Sequence, residues 1–159
     1  MYKKSLKTVT AISCLSALLM SPAATSHFDD KEIPQSYRQS YFALLAANFG
    51  PMVAMVKEEI EWDQTAFERY ANDLATVTEL NLSRGFPDGS DSGKTRAKSE
   101  IWENKEDFES KIEDLKTAAS EMQTAAASGD KKAIMEKFKA TGGACKACHD
   151  DYKAENYLN

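Results

Sequence analysis

Toward the C-terminus Ile134, Phe138, Thr141, Cys145, Cys148 and Tyr152 recur at spacings of four, three, four, three and four residues, and this repeat runs straight through Cys145-Lys146-Ala147-Cys148-His149. Such a period specifies an amphipathic helix. It puts both thiols on the buried face, one turn apart, almost at the end of the chain. C-x-x-C-H is the spacing by which two thiols bond covalently to haem vinyl groups while the adjacent histidine ligates the iron. Thioether bonds would make loss of the cofactor a covalent problem instead of a binding equilibrium, and Cys148 would hold His149 beneath the porphyrin.

Other readings of these five residues need a different context. A redox C-x-x-C wants a strand before it and a helix starting at the motif, whereas here a helical pattern runs into it for about four turns. A structural zinc site wants four ligands, and the exported chain would offer Cys145, Cys148, His149 and the distant His27. A disulfide, a metal clip and a chance match are the remaining alternatives.

Residues 1–26 read as a secretory signal. Lys3, Lys4 and Lys7 form a basic start, Thr8 to Met20 is uncharged and largely apolar, and Ala24-Thr25-Ser26 offers small residues for cleavage. The run is too short to span a bilayer, so no stable membrane insertion is expected. Cleavage after Ser26 is preferred, with Ala23 as the neighbouring choice, leaving residues 27–159 as the mature domain. Cys14 leaves with the signal, and because the apolar run continues past it, it does not suit a lipid-modified cysteine. His27, at the new N-terminus, reads as a terminal residue with no role.

Removal of three lysines and no acid takes the formal net charge from −5 to −8. A surface this acidic repels phosphate backbones, which argues against nucleic acid as a partner. It favours basic protein partners, at a rate that depends on ionic strength.

About 133 residues without a second composition regime make one domain. The long loop-like stretch is Ser83 to Ser99, with three glycines and one proline. Around it the apolar period predicts four helices. Helix A starts near Ile33-Pro34 and carries Tyr37, Tyr41, Leu44/Leu45, Asn48, Met52 and Val56, with a kink or break expected at Gly50-Pro51. Helix B follows Asp63 as N-cap, with Phe67, Tyr70/Ala71, Leu74, Val77 and Asn81 on one face. Helix C carries Ile101, Phe108, Ile112, Leu115, Ala119, Met122 and Ala126 and closes at Ser128-Gly129-Asp130. Helix D is the segment through the thiols. Gly142-Gly143 within it is costly for a helix, and reads either as room for a porphyrin or as a local bend. Short connections between long amphipathic helices predict an all-α, antiparallel up-down-up-down four-helix bundle.

With Tyr37-Arg38-Gln39-Ser40, Asn48-Phe49-Gly50, Glu100-Ile101-Trp102 and Gly143 to Lys153 in place, the mature chain resembles a class II cytochrome c, and within that class a cytochrome c′. The resemblance implies one covalent haem c held by Cys145 and Cys148, with His149 as axial iron ligand. It implies Arg38 and Gln39 on the side of the haem propionates, Phe42 over the distal face of the iron, and a basic residue four positions after the histidine. The family commonly has arginine there. Here it is Lys153, which lacks the planar fork and reads equally as a solvated side chain. The resemblance also implies residence in the periplasm and a homodimer through helices A and B.

Low-spin relatives in this class carry methionine at the distal position, which Phe42 occupies here. Met52 and Met55 lie about 15 to 20 Å further along helix A, and no methionine follows His149. Arg38 shares the 38, 42, 45, 49 stripe with Phe42, Leu45 and Phe49, where an unpaired charge would be expensive. Tyr41, about 100° round the helix from Phe42, reads as structural, and Trp62 and Trp102 as packing or interface residues. Five-coordinate iron with an apolar distal side favours neutral diatomic gases such as carbon monoxide and stays redox active, and the resemblance implies nitric oxide as the ligand. The alternative from another class is a soluble electron carrier that docks on a basic redox partner. Without a distal histidine and arginine, an enzymatic role in peroxide chemistry is not expected.

Overall fold

The computed structural model describes residues 33–158. The expected signal, residues 1–26 with Cys14, and His27 lie outside the described residues. Four long helices carry the fold, α1 (Ile33–Val56), α2 (Gln64–Thr78), α4 (Lys105–Ser128) and α5 (Lys131–Tyr152), with the single turn α3 (Glu100–Glu103) before α4. A 3₁₀ turn spans Leu82–Gly85, and two short strands, β1 (Thr95–Ala97) and β2 (Lys153–Leu158), pair antiparallel.

Helix packing runs in chain order: α1 on α2, α2 on α4, α4 on α5. Sequential antiparallel neighbours make this the up-down-up-down bundle that the apolar period predicts. Its centre is filled by Met52, Phe67, Met122 and Ile134, all fully buried, with Ala71 and Ala119 letting the helices approach. Local chemistry sets the ends. The Asp63 carboxylate accepts from Ala66 N at 3.0 Å, and Asp130 accepts from Lys132 N and Ala133 N at 2.9 and 3.3 Å. Gly129 takes the left-handed conformation, φ 69°, that ends α4.

Three features differ from the sequence expectation. Of the kink or break expected at Gly50-Pro51, the break does not occur: α1 continues through Pro51 to Val56. The proline costs about 3 kcal/mol, and burial of Met52 and Met55 on the following turn offsets it at about 1.5 to 3 kcal/mol each. Helix C is split at Asn104 (φ −126°, ψ 51°) into α3 and α4. The split lets Trp102 turn its Nε1–H to the Pro87 carbonyl at 2.9 Å. Finally, the Ser83 to Ser99 stretch contributes β1, whose partner is the extreme C-terminus.

The end of α1 carries a correctable strain. Glu58 sits at φ 60°, with Glu59 N donating to Ala54 O at 2.9 Å and Glu58 N to Met55 O at 3.2 Å. This is a Schellman cap with glutamate where glycine is usual. Glu58→Gly should therefore stabilise the protein by about 1 kcal/mol, read as a higher urea midpoint at unchanged slope. A lower midpoint would show that the Glu58 side chain outweighs its backbone cost.

Candidate haem-binding site

Helix α5 runs unbroken through the motif, so Cys145 and Cys148 sit one turn apart. Both side chains are half-buried and pack against the core. Burial pushes the Cys145 thiol up, and pushes Cys148 up to about 11. Neither is pushed down as is the activated cysteine of a redox C-x-x-C. Among the described residues no three His, Cys, Asp or Glu side chains converge on a point that could hold a metal ion.

His149 lies at the surface of α5, facing Phe42 of α1 with 6.3 Å between ring centroids and a tilt of 57°. Partial burial of the ring, then the charges of Lys153 and Arg96, hold its pKa below the ordinary value, with Asp150 opposing. Neutral imidazole, the ligating form, is thereby favoured. Further along the same seam Phe49 stacks on Phe138 at 4.8 Å. A Cβ on Gly142 would make ordinary contact with Phe49 Cζ at 3.7 Å, and one on Gly143 would meet nothing. Neither glycine is forced by packing, and α5 stays helical through both.

Arg38 is only 4% exposed. Its Nη1 donates to Gly85 O at 3.1 Å and Ser90 O at 3.0 Å, and its Nη2 to Thr95 Oγ1 at 3.3 Å. The guanidinium lies over Phe86 and Trp102, 5.2 and 5.8 Å from their centroids. Gly85 is required there, since a Cβ on it would come within 2.9 Å of Arg38 Cβ. Desolvation lowers the Arg38 pKa, yet guanidinium stays charged. A buried cation held by carbonyls and hydroxyls, with no carboxylate against it among the described residues, is electrostatically incomplete.

The remaining sequence-nominated positions lie apart from this core. Gln39 is exposed and its side chain bonds to no other described residue, while Lys153 is exposed at the start of β2. Trp62 stacks on Phe67 at 4.8 Å, at a distance from the motif in sequence and in packing partners. Sequence reasoning missed Gly85, Ser90 and Thr95 as the partners of Arg38, because a loop has no period to read. It also missed the Tyr41 hydroxyl, the buried side-chain polar atom without a partner among the described residues. Burial, then Tyr37, Cys145 and Glu79, push the Tyr41 pKa up to about 12.

These residues fit a haem. The negative charge of a haem propionate would suit the buried Arg38 guanidinium, and the buried Tyr41 hydroxyl has no partner among the described residues.

Comparison with known proteins agrees. The family described as Cytochrome C' matches residues 34–153. Cytochrome c' of Cereibacter sphaeroides is 35% identical over 146 residues, covering 89% of this chain and 97% of the relative. The structure of cytochrome c prime from Shewanella frigidimarina superposes with TM-score 0.77 at 38% identity, covering 80% of this chain and 99% of that one. A nitric oxide complex of a mutant cytochrome c prime from Alcaligenes xylosoxidans superposes with TM-score 0.72 at 30% identity, over 81% and 99% of the two chains. The chain belongs to the cytochrome c' family, a four-helix-bundle protein whose cofactor is covalently attached haem c.

Proposed function

We propose that the protein is a periplasmic gas-binding cytochrome, with one haem joined to Cys145 and Cys148 and with His149 as its single protein ligand to iron. When bound, that haem supplies an iron with one axial position free for a neutral diatomic ligand, together with a one-electron couple. The observation that carries the reading is Phe42 opposite His149 across the α1 to α5 seam. A phenyl ring has no lone pair for iron, and it leaves the distal side apolar. Met52 is fully buried in the core and Met55 nearly so, and neither is free to ligate. Nitric oxide and carbon monoxide are the ligands such a site admits. Nitric oxide gains support from the complex formed by the Alcaligenes xylosoxidans relative.

The chain's own residues divide the remaining work. Neutral His149 offers its nitrogen lone pair, and Arg38, on its platform of Gly85, Ser90 and Thr95, binds propionate charge. Phe42 restricts entry on the distal side. Gln39 and Lys153 reach the cofactor rim from exposed positions. Residues 1–26 direct export, and no helix among the described residues is long and apolar enough to cross a membrane. Leu44, 47% exposed on the outer face of α1, supports a homodimer through α1 and α2. The role is binding and redox, without acid–base catalysis.

A second reading, an electron carrier with a basic partner, is favoured by the surface position of His149 and the net charge of −5 over the full chain. Optical titration of the ferrous protein decides between them. Saturable one-to-one shifts of the Soret band with carbon monoxide and with nitric oxide are expected. A low-spin six-coordinate spectrum indifferent to both gases would leave only the carrier.

A further inference from the structure

The last four carbonyls of a helix have no partner within it, and in α5 these belong to the turn that holds His149. His149 O accepts from Lys153 N at the helix end. The other three all go to one residue from the opposite side of the long loop. Lys98 Nζ donates to Asp150 O at 3.1 Å and Asp151 O at 3.0 Å, and Lys98 N donates to Tyr152 O at 3.1 Å. Lys98 stands 52 residues from Asp150 in sequence. Its cation also complements the negative end of the helix dipole.

Lys98 is itself held in place. It directly follows β1, whose Arg96 donates through Nε to Ala154 O at 2.8 Å and through Nη2 to Glu155 O at 2.6 Å of β2. The other end of β1 is Thr95, whose Oγ1 accepts from buried Arg38. The four-residue segment Thr95 to Lys98 thus joins the buried guanidinium of α1 to the end of α5. The family match stops at Lys153, so Ala154 to Leu158 of β2, the strand that secures this segment, lies beyond it.

We propose that Lys98 is a positioning residue for the axial ligand: by closing every free carbonyl of the last turn of α5, it fixes the orientation of the His149 imidazole. The proposal rests on His149 being the iron ligand. A capped turn cannot fray, so the ring is presented to iron in one orientation. Without the cap, the turn samples several orientations.

The test uses the purified ferrous holoprotein and its Lys98→Ala, Lys98→Gln and Lys98→Arg variants. Two readouts are combined: the iron–histidine stretching band in resonance Raman, and hydrogen exchange of the amides of residues 150–153. In Lys98→Ala the band should shift and broaden, and those amides should exchange at least tenfold faster, about 1.4 kcal/mol of lost protection. Helix α4 should exchange as in the wild type. Lys98→Arg, which keeps the charge and several donors, should restore both. Lys98→Gln, which keeps a donor and the packing of the stem, should fall between. An unchanged band in folded Lys98→Ala and Lys98→Gln proteins overturns the proposal. Absence of the band in the wild type would overturn His149 ligation itself.

Discussion

His149→Ala should abolish the normally ligated, coloured protein. Among the described residues His149 is the sole histidine. The two methionines of α1 that could in principle take its place are held in the core, Met52 at 0% and Met55 at 6% exposure. Extracting Met52 would open a cavity costing about 2 to 5 kcal/mol, more than a weak thioether bond would return. The expected result is loss of nearly all holoprotein, or a residual species with a displaced Soret band. Met52→Leu, a volume-conserving change costing less than about 1.5 kcal/mol, should leave the spectrum intact. A normal Soret band in His149→Ala, or its loss in Met52→Leu, would mean that the ligand has been misassigned. Measurement is by optical spectroscopy of the exported fractions at matched expression.

The second large effect belongs to Phe42. Its ring makes an edge contact with Tyr41 at 5.6 Å and faces His149 at 6.3 Å. A gas entering on that side must displace the ring. Phe42→Ala should raise carbon monoxide affinity by about tenfold or more, which corresponds to about 1.4 kcal/mol of relieved displacement. Because the ring is half-buried, the stability cost should be about 1 to 3 kcal/mol, below that of a full core aromatic. Phe42→Met should move the iron toward a six-coordinate, low-spin state, since a flexible thioether can reach where a phenyl ring cannot ligate. Equal carbon monoxide affinities for folded wild-type and Phe42→Ala proteins would reduce Phe42 to a packing residue.

What could be read from the sequence follows from the range of the forces involved. The repeat through Cys145 and Cys148, the Asp63 and Asp130 caps and the Gly129 stop are local, written within a few residues of where they act. The stripe 38, 42, 45, 49 rightly marked Arg38 as buried. It gave no hint that Gly85, Ser90 and Thr95 receive the guanidinium, because those contacts span 47 to 57 residues and lie in a segment without period. The β1 to β2 pairing was invisible for the same reason: a three-residue strand has no alternation to detect. The α3 to α4 break was masked because Ile101 and Phe108 keep a helical register across it, while Asn104 resets the backbone. At Pro51 local preference pointed to interruption, and tertiary burial prevailed.

Attachment of haem through Cys145 and Cys148 is tested most directly by acid–acetone extraction of the purified protein. Colour should remain with the polypeptide, and the intact mass should equal that of the mature chain plus one haem. Cys148→Ser should retain at most one thioether and show a shifted pyridine haemochrome band. Haem that extracts freely into the acetone phase, leaving an unmodified polypeptide, would contradict the account.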